Sequence, residues 1–192
     1  MNDVRRAEAW IDDAARLLGE SGAHGRLELT GTSMLPHLRP GDGLWVDFSP
    51  RTPRPGDVVV FRQAGALLVH RVLGYRTRGP HGPHFRIRGD HADYLDGPTL
   101  GEAILGHVVA FERAGIWRDL TGRPARVYAR LTAAHAFCWT GLRTIADRAE
   151  RALGGPWGLA RFVGVLDRAA LKVAAGLLFR LAHRRRPEPT DA

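Results

Sequence analysis

Between residues 26 and 112, short β-branched and aromatic runs alternate with clusters of proline and glycine, and that punctuation confines the chain to short strands joined by tight turns. Arg26-Leu27-Glu28-Leu29, Gly43 to Phe48, Asp57 to Phe61, Gly65 to Gly74, His84 to Arg88 and Ala103 to Phe111 carry strand composition. Ser49 to Gly56 holds three prolines and a glycine and excludes a regular element, while Arg76 to Pro83 reads as a hairpin loop. The pattern predicts a mainly β, antiparallel domain over 26–112. Asp42 and Asp57 are expected to close turns by accepting backbone amides, and Ala103 to Phe111, with His107, is expected to close the sheet and pack.

One turn inside this region carries a candidate nucleophile. Leu27, Leu29 and Gly31 lead into Thr32-Ser33-Met34-Leu35-Pro36, and Pro40-Gly41-Asp42-Gly43 force a second turn before Leu44-Trp45-Val46. A hydroxyl held between two rigid elements can be aimed, but it needs a neighbouring base, and that base needs a group that fixes its tautomer. His70, in the middle of Leu67 to Leu73, can serve as the base. Asp90, Asp93 and Asp96 downstream are the candidates for the third group. His81, His84 and His91 with Asp90 and Asp93 match neither a helical histidine pair nor a thiolate framework, so neither metal nor cofactor is expected.

The four blocks Gly31-Thr32-Ser33-Met34-Leu35-Pro36 with Pro40-Gly41-Asp42, Arg54-Pro55-Gly56-Asp57-Val58-Val59-Val60-Phe61, Val69-His70-Arg71-Val72, and Arg88-Gly89-Asp90 with Asp96 resemble the signal peptidase family. The likeness is closest to the archaeal and endoplasmic-reticulum type, where histidine replaces the lysine base, and the fold is shared with self-cleaving repressors. The resemblance implies Ser33 as nucleophile, His70 as general base and Asp96 as the group orienting it. Asp90 is then a supporting acid or a structural turn residue, and Gly31, Thr32 and Met34 flank the serine. The Ser33 amide would be one oxyanion donor. Where relatives carry a serine two residues earlier this chain has Gly31, so the second donor falls to backbone, Thr32 or Thr30. The chain's one lysine, Lys172, lies far outside the four blocks, which excludes a serine–lysine dyad within the strand-rich region.

Charge divides the chain differently. The net charge is +8, yet basic and acidic residues cancel over 1–122, and the excess sits in 123–186, where arginines face only Asp147, Glu150 and Asp167. This third reads as a basic helical extension over 123–183, with one or two helices over Pro124 to Leu153. Beyond Gly154-Gly155-Pro156, Leu159, Phe162, Val163 and Leu166 mark the apolar face of another. Such a face suits either packing on the sheet or peripheral contact with an anionic membrane; no specific nucleic acid is expected. Val4, Ala7, Ile11, Ala14 and Leu18 predict an amphipathic N-terminal helix over 1–20, without the uninterrupted core of a signal peptide. No run is long enough to cross a bilayer, which leaves a peripheral membrane or cytoplasmic location, and 184–192 reads as a disordered tail. Cys138 is expected to be a buried thiol.

Three functions fit these features. A serine endopeptidase would clip a leader or signal-like segment from an extended peptide or protein. A self-cleaving regulator would share the fold, although 25 residues before the first strand are too few for a DNA-binding domain. A catalytically silent peptide-binding or membrane-surface module would keep the sheet alone.

Overall fold

The computed structural model describes residues 23–79, 82–97, 99–152, 158, 161–166, 169, 179, 182, 183, 185 and 187. The helix expected over 1–20, the 154–156 linker and most of the tail lie outside these residues.

Eight strands form one antiparallel sheet: β1 (His24–Glu28), β2 (Gly43–Asp47), β3 (Val58–Gln63), β4 (Ala66–Gly79), β5 (Gly82–Arg88), β6 (Thr99–Leu100), β7 (Ile104–Arg113) and β8 (Ile116–Asp119). Their order is β1-β2-β7-β3-β4-β5-β6, with β8 paired to β7. Strand β7 does not close the sheet from one side, as its late position suggested. It lies in the middle, paired with β2 along 107–112 and with β3 at 104–107. Register shifts at Trp45/Val46 and Val60/Phe61 flank Gly106, where a Cβ would stand 2.6 Å from Val46 Cγ1. Both shifts place the extra residue in β7, Val109 opposite β2 and Leu105 opposite β3, and the glycine between them permits the close approach to Val46.

Two hairpins turn on an Ala-Gly pair. Ala64 and Gly65 join β3 to β4, and Ala114 and Gly115 join β7 to β8, all four with positive φ, the conformation that matches the right-handed twist of paired strands. The loop expected over 76–83 is largely strand, because β4 and β5 stay paired as far as Gly79 and Gly82. Strands β6 and β8 were not expected from the sequence.

The apolar side chains fall into two main clusters. Leu44, Val46, Val58, Val60, Val108 and Phe111 pack with Met34 and Leu38 of the Ser33 turn and with Phe179. Val59, Phe61, Val72, Phe85 and Ile87 form the second, across β3, β4 and β5. Helix α1 (Arg123–Ala152) lies against β4, with Ala133 and Ala136 on Leu73. It is one continuous helix. Arg88 fastens it to the loop after β5, donating to Ala136 O, Thr140 Oγ1 and Ala92 O. Residues 161–166 are helical as well, but Phe162 and Leu166 are exposed while Val163 is buried, so the apolar face expected there is only partly covered. Cys138 is exposed, not buried: helical spacing places it on the outward face of α1, opposite Ala133 and Ala136.

Candidate active site

Ser33 stands in a compact turn that β1 delivers and Met34 anchors. Leu35 N donates to Thr32 O, and His37 N and Leu38 N both donate to Met34 O; the Leu35-Pro36 bond is cis. The Met34 side chain is fully buried. Burial of such a side chain contributes roughly 1.5–3 kcal/mol, which offsets the roughly 1–2 kcal/mol needed to fix one residue's backbone, so the residue next to the serine holds it in place. Met34 therefore serves packing. Gly31 and Thr32 are exposed at the mouth of the turn.

His70 projects from β4 between Ser33 and the loop after β5. Its Nε2 is 2.9 Å from Ser33 Oγ, and its Nδ1 is 2.7 Å from Asp96 Oδ2. An ionised carboxylate can only accept, so Nδ1 carries the proton and donates to Asp96, leaving Nε2 to accept from the Ser33 hydroxyl. The imidazole is buried beside Phe61, whereas Ser33 and Asp96 are partly open to solvent. Asp96 is held by its own amide, which donates to Ile87 O.

The aspartates at 90, 93 and 96 go to three different partners. Asp96 meets His70. Asp93 accepts from Arg143 of α1 at 2.8 Å. Asp90 is buried and accepts two bonds from Arg71, Nε to Oδ1 and Nη2 to Oδ2, both 2.8 Å, plus one from His37 Nδ1 at 2.8 Å. Burial alone would raise the Asp90 carboxyl; the Arg71 guanidinium and His37 outweigh it and hold that carboxyl well below the usual carboxylate range. Asp90 is thus a buried structural anion one turn away from the serine, not a second acid on it. Asp42 and Asp57 close their turns as expected, accepting from Arg39 N and Arg54 N.

Two further participants were not singled out by the sequence. His37 sits in the same turn as Ser33 and joins it to Asp90; its Nε2 is buried with no hydrogen-bond partner among the described residues, near Tyr128 and Phe179. Gly89 passes directly under the site: a Cβ there would stand 2.7 Å from Ser33 O and 3.0 Å from His70 Nε2. The same contact lets His91 N donate to Ser33 O at 2.7 Å. Its glycine, inside Arg88-Gly89-Asp90, was the available clue.

The mouth of the site offers one ready donor. Among the described residues no backbone bond takes up the Ser33 amide. A Cβ on Gly31 would meet Ser33 Oγ at 3.9 Å, an ordinary van der Waals contact, and nothing nearer. Three groups aligned as hydroxyl, imidazole and carboxylate can move a proton from Oγ to Nε2 while the charge that develops on the ring is balanced across Nδ1. Among the described residues no group of three or more histidine, cysteine or acidic side chains could hold a metal ion.

A family model described as Peptidase S24-like matches residues 3–82. The matched stretch contains Ser33 and His70 and ends before Asp96 and β7. A search of curated proteins finds no significant match. The antiparallel sheet with its C-terminal helix is consistent with the S24-like peptidase fold, and the match supports the serine peptidase superfamily, which includes both peptidases and self-cleaving repressors, as the one this chain resembles.

Proposed function

We propose that this protein is a serine endopeptidase of the Ser-His-Asp kind found in archaeal and endoplasmic-reticulum signal peptidases, and that it removes a leader or signal-like segment from a peptide or protein. The observation that carries this reading is the line from Ser33 Oγ through His70 to Asp96, at 2.9 and 2.7 Å. The outer edge of β1 supports it, because among the described residues that strand is paired on one side only, and it leads directly to the serine. An extended substrate adding to that edge would use main-chain hydrogen bonds and arrive with a scissile carbonyl at Ser33.

In that mechanism Oγ attacks the carbonyl carbon while Nε2 takes its proton. The tetrahedral oxyanion rests on the Ser33 amide and a second donor from Thr32, Thr30 or backbone. The C–N bond breaks, Nε2 returns the proton to the leaving amine, and water then hydrolyses the acyl-enzyme by the same route. The outward face of α1, where Val127, Leu131, Leu142 and Ile145 are exposed among arginines, supports peripheral contact with an anionic membrane. No described helix is long and apolar enough to cross one.

The S24-like match favours one second reading, self-cleavage. A serine-reactive acylating probe and mass spectrometry of the full chain test both. Labelling of wild type that is absent in Ser33→Ala and His70→Ala supports the activated serine. Cleavage of added peptide then supports the peptidase, whereas fragments of the chain itself, formed at a rate independent of its concentration, support the regulator. A folded wild type that neither labels nor cleaves favours the silent binding module.

A further inference from the structure

Apart from the serine and its partners, the chain builds a second feature that the peptidase reading does not use. A cavity of about 590 Å³ lies between the 51–57 loop and the first two turns of α1, and none of Ser33, His70 and Asp96 lines it. Arg51 and Arg54 enter from the loop, Arg126 and Arg130 from the helix, with Arg71 among the lining residues. Gly56 makes this convergence possible: with φ +100° it lets the loop touch the helix so closely that a Cβ would stand 2.8 Å from the Ala129 carbonyl carbon.

The protein neutralises only some of these cations. Arg71 is committed to Asp90 and Gly56 O. Asp57, the one carboxylate in the lining, accepts from Arg54 N and faces His107. Arg51 reaches Asp47 at 3.7 Å. Among the described residues no side-chain hydrogen bond or ion pair engages Arg54, Arg126 or Arg130. The first turn of the helix contains Arg123 and Arg126 and no acid; the Asp119 carboxylate caps it from the preceding residues, accepting from Thr121 N and Gly122 N. Guanidinium forks on two elements around a concave floor match a multiply charged oxyanion.

We propose that this cavity binds a phosphate-bearing ligand through Arg54, Arg126 and Arg130, either a free phosphate compound or the headgroup of an anionic lipid. The test is calorimetric titration of the full chain with inorganic pyrophosphate at low salt, where such contacts are least screened. Saturable binding is expected that weakens at least about tenfold in Arg54→Gln and in the Arg126→Gln/Arg130→Gln pair, while Arg26→Gln on β1 leaves it unchanged. These side chains are exposed, and circular dichroism confirms that the variants fold. Absence of saturable binding, or equal loss in Arg26→Gln, overturns the proposal.

Co-sedimentation with vesicles of phosphatidylcholine, with and without phosphatidylglycerol, separates the two sources. Binding to anionic vesicles that pyrophosphate displaces assigns the headgroup. Pyrophosphate binding without vesicle binding assigns a free phosphate compound. Vesicle binding by a chain that does not bind pyrophosphate overturns the proposal and leaves the apolar face of α1 as the contact. Because Ser33 is not involved, Ser33→Ala must bind pyrophosphate like wild type whatever becomes of its labelling.

Discussion

His70 with Asp96 and His37 with Asp90 are two imidazole–carboxylate pairs assembled from neighbouring segments, 2.7 and 2.8 Å long and both made through Nδ1. What stands on the other nitrogen separates them. Nε2 of His70 faces a partly exposed hydroxyl, while His37 packs on the rings of Tyr128 and Phe179 and its Nε2 has no hydrogen-bond partner among the described residues. The carboxylates differ too: Asp90 is sealed under the Arg71 guanidinium, whereas Asp96 is partly open to solvent. A histidine–aspartate contact therefore says little by itself. The pair at the rim is arranged to pass a proton, and the pair in the interior is arranged to keep the Ser33 turn on β4.

Substitutions in the two pairs should accordingly part company. Asp96→Asn reverses the preferred tautomer of His70 and should lower the acylation rate about 10⁴-fold with little change in melting temperature; a stability loss in place of a rate loss would erase the distinction. Arg71→Met should do the reverse. It strands the Asp90 carboxylate in the interior, at a cost of about 3–5 kcal/mol in chemical denaturation.

The next effect concerns His183, which lies over Tyr128 and Phe179 and donates from Nδ1 to Phe179 O. Burial, assisted by the nearby charges of Arg71, His37 and Arg118, pushes His183 down to about 4. Between that value and the ordinary histidine range the unfolded chain binds the extra proton. Stability should hence fall as pH drops from about 6.5 to 4, by at most about 3 kcal/mol, and His183→Phe should flatten the melting profile over that window. The smallest effect, about 10²-fold, is expected for Gly89→Ala, whose Cβ would displace Ser33 relative to His70; it should slow labelling at constant circular dichroism.

The parts of this arrangement differ in how far sequence could reveal them. Ser33, His70 and the 90–96 aspartates stand in distinct punctuated blocks, so residue type and order were enough to single them out. Among the aspartates only the resemblance favoured Asp96; the loop after β5 hands Asp90 inward to Arg71 and Asp96 outward to His70. His37 carries the same chemistry as His70, but its role depends on burial that Pro36-His37-Leu38 does not announce. Strand β8 escaped notice because Ala114-Gly115 is a weaker hairpin signal than asparagine–glycine, although Ile116-Trp117-Arg118-Asp119 alternates. Cys138 was misplaced because an uncharged run reads as core, while the helix turns much of that run outward.

The central position of β7 has a consequence for synthesis on the ribosome. Strands β2 and β3 leave the exit tunnel some sixty and some forty residues before the strand that must insert between them. The hairpin of β3 and β4 that bears His70 can form early, but its sheet pairing with the β1–β2 pair that leads to Ser33 waits for β7. A nascent chain thus lacks the continuous sheet that carries the serine and the histidine until β7 has emerged.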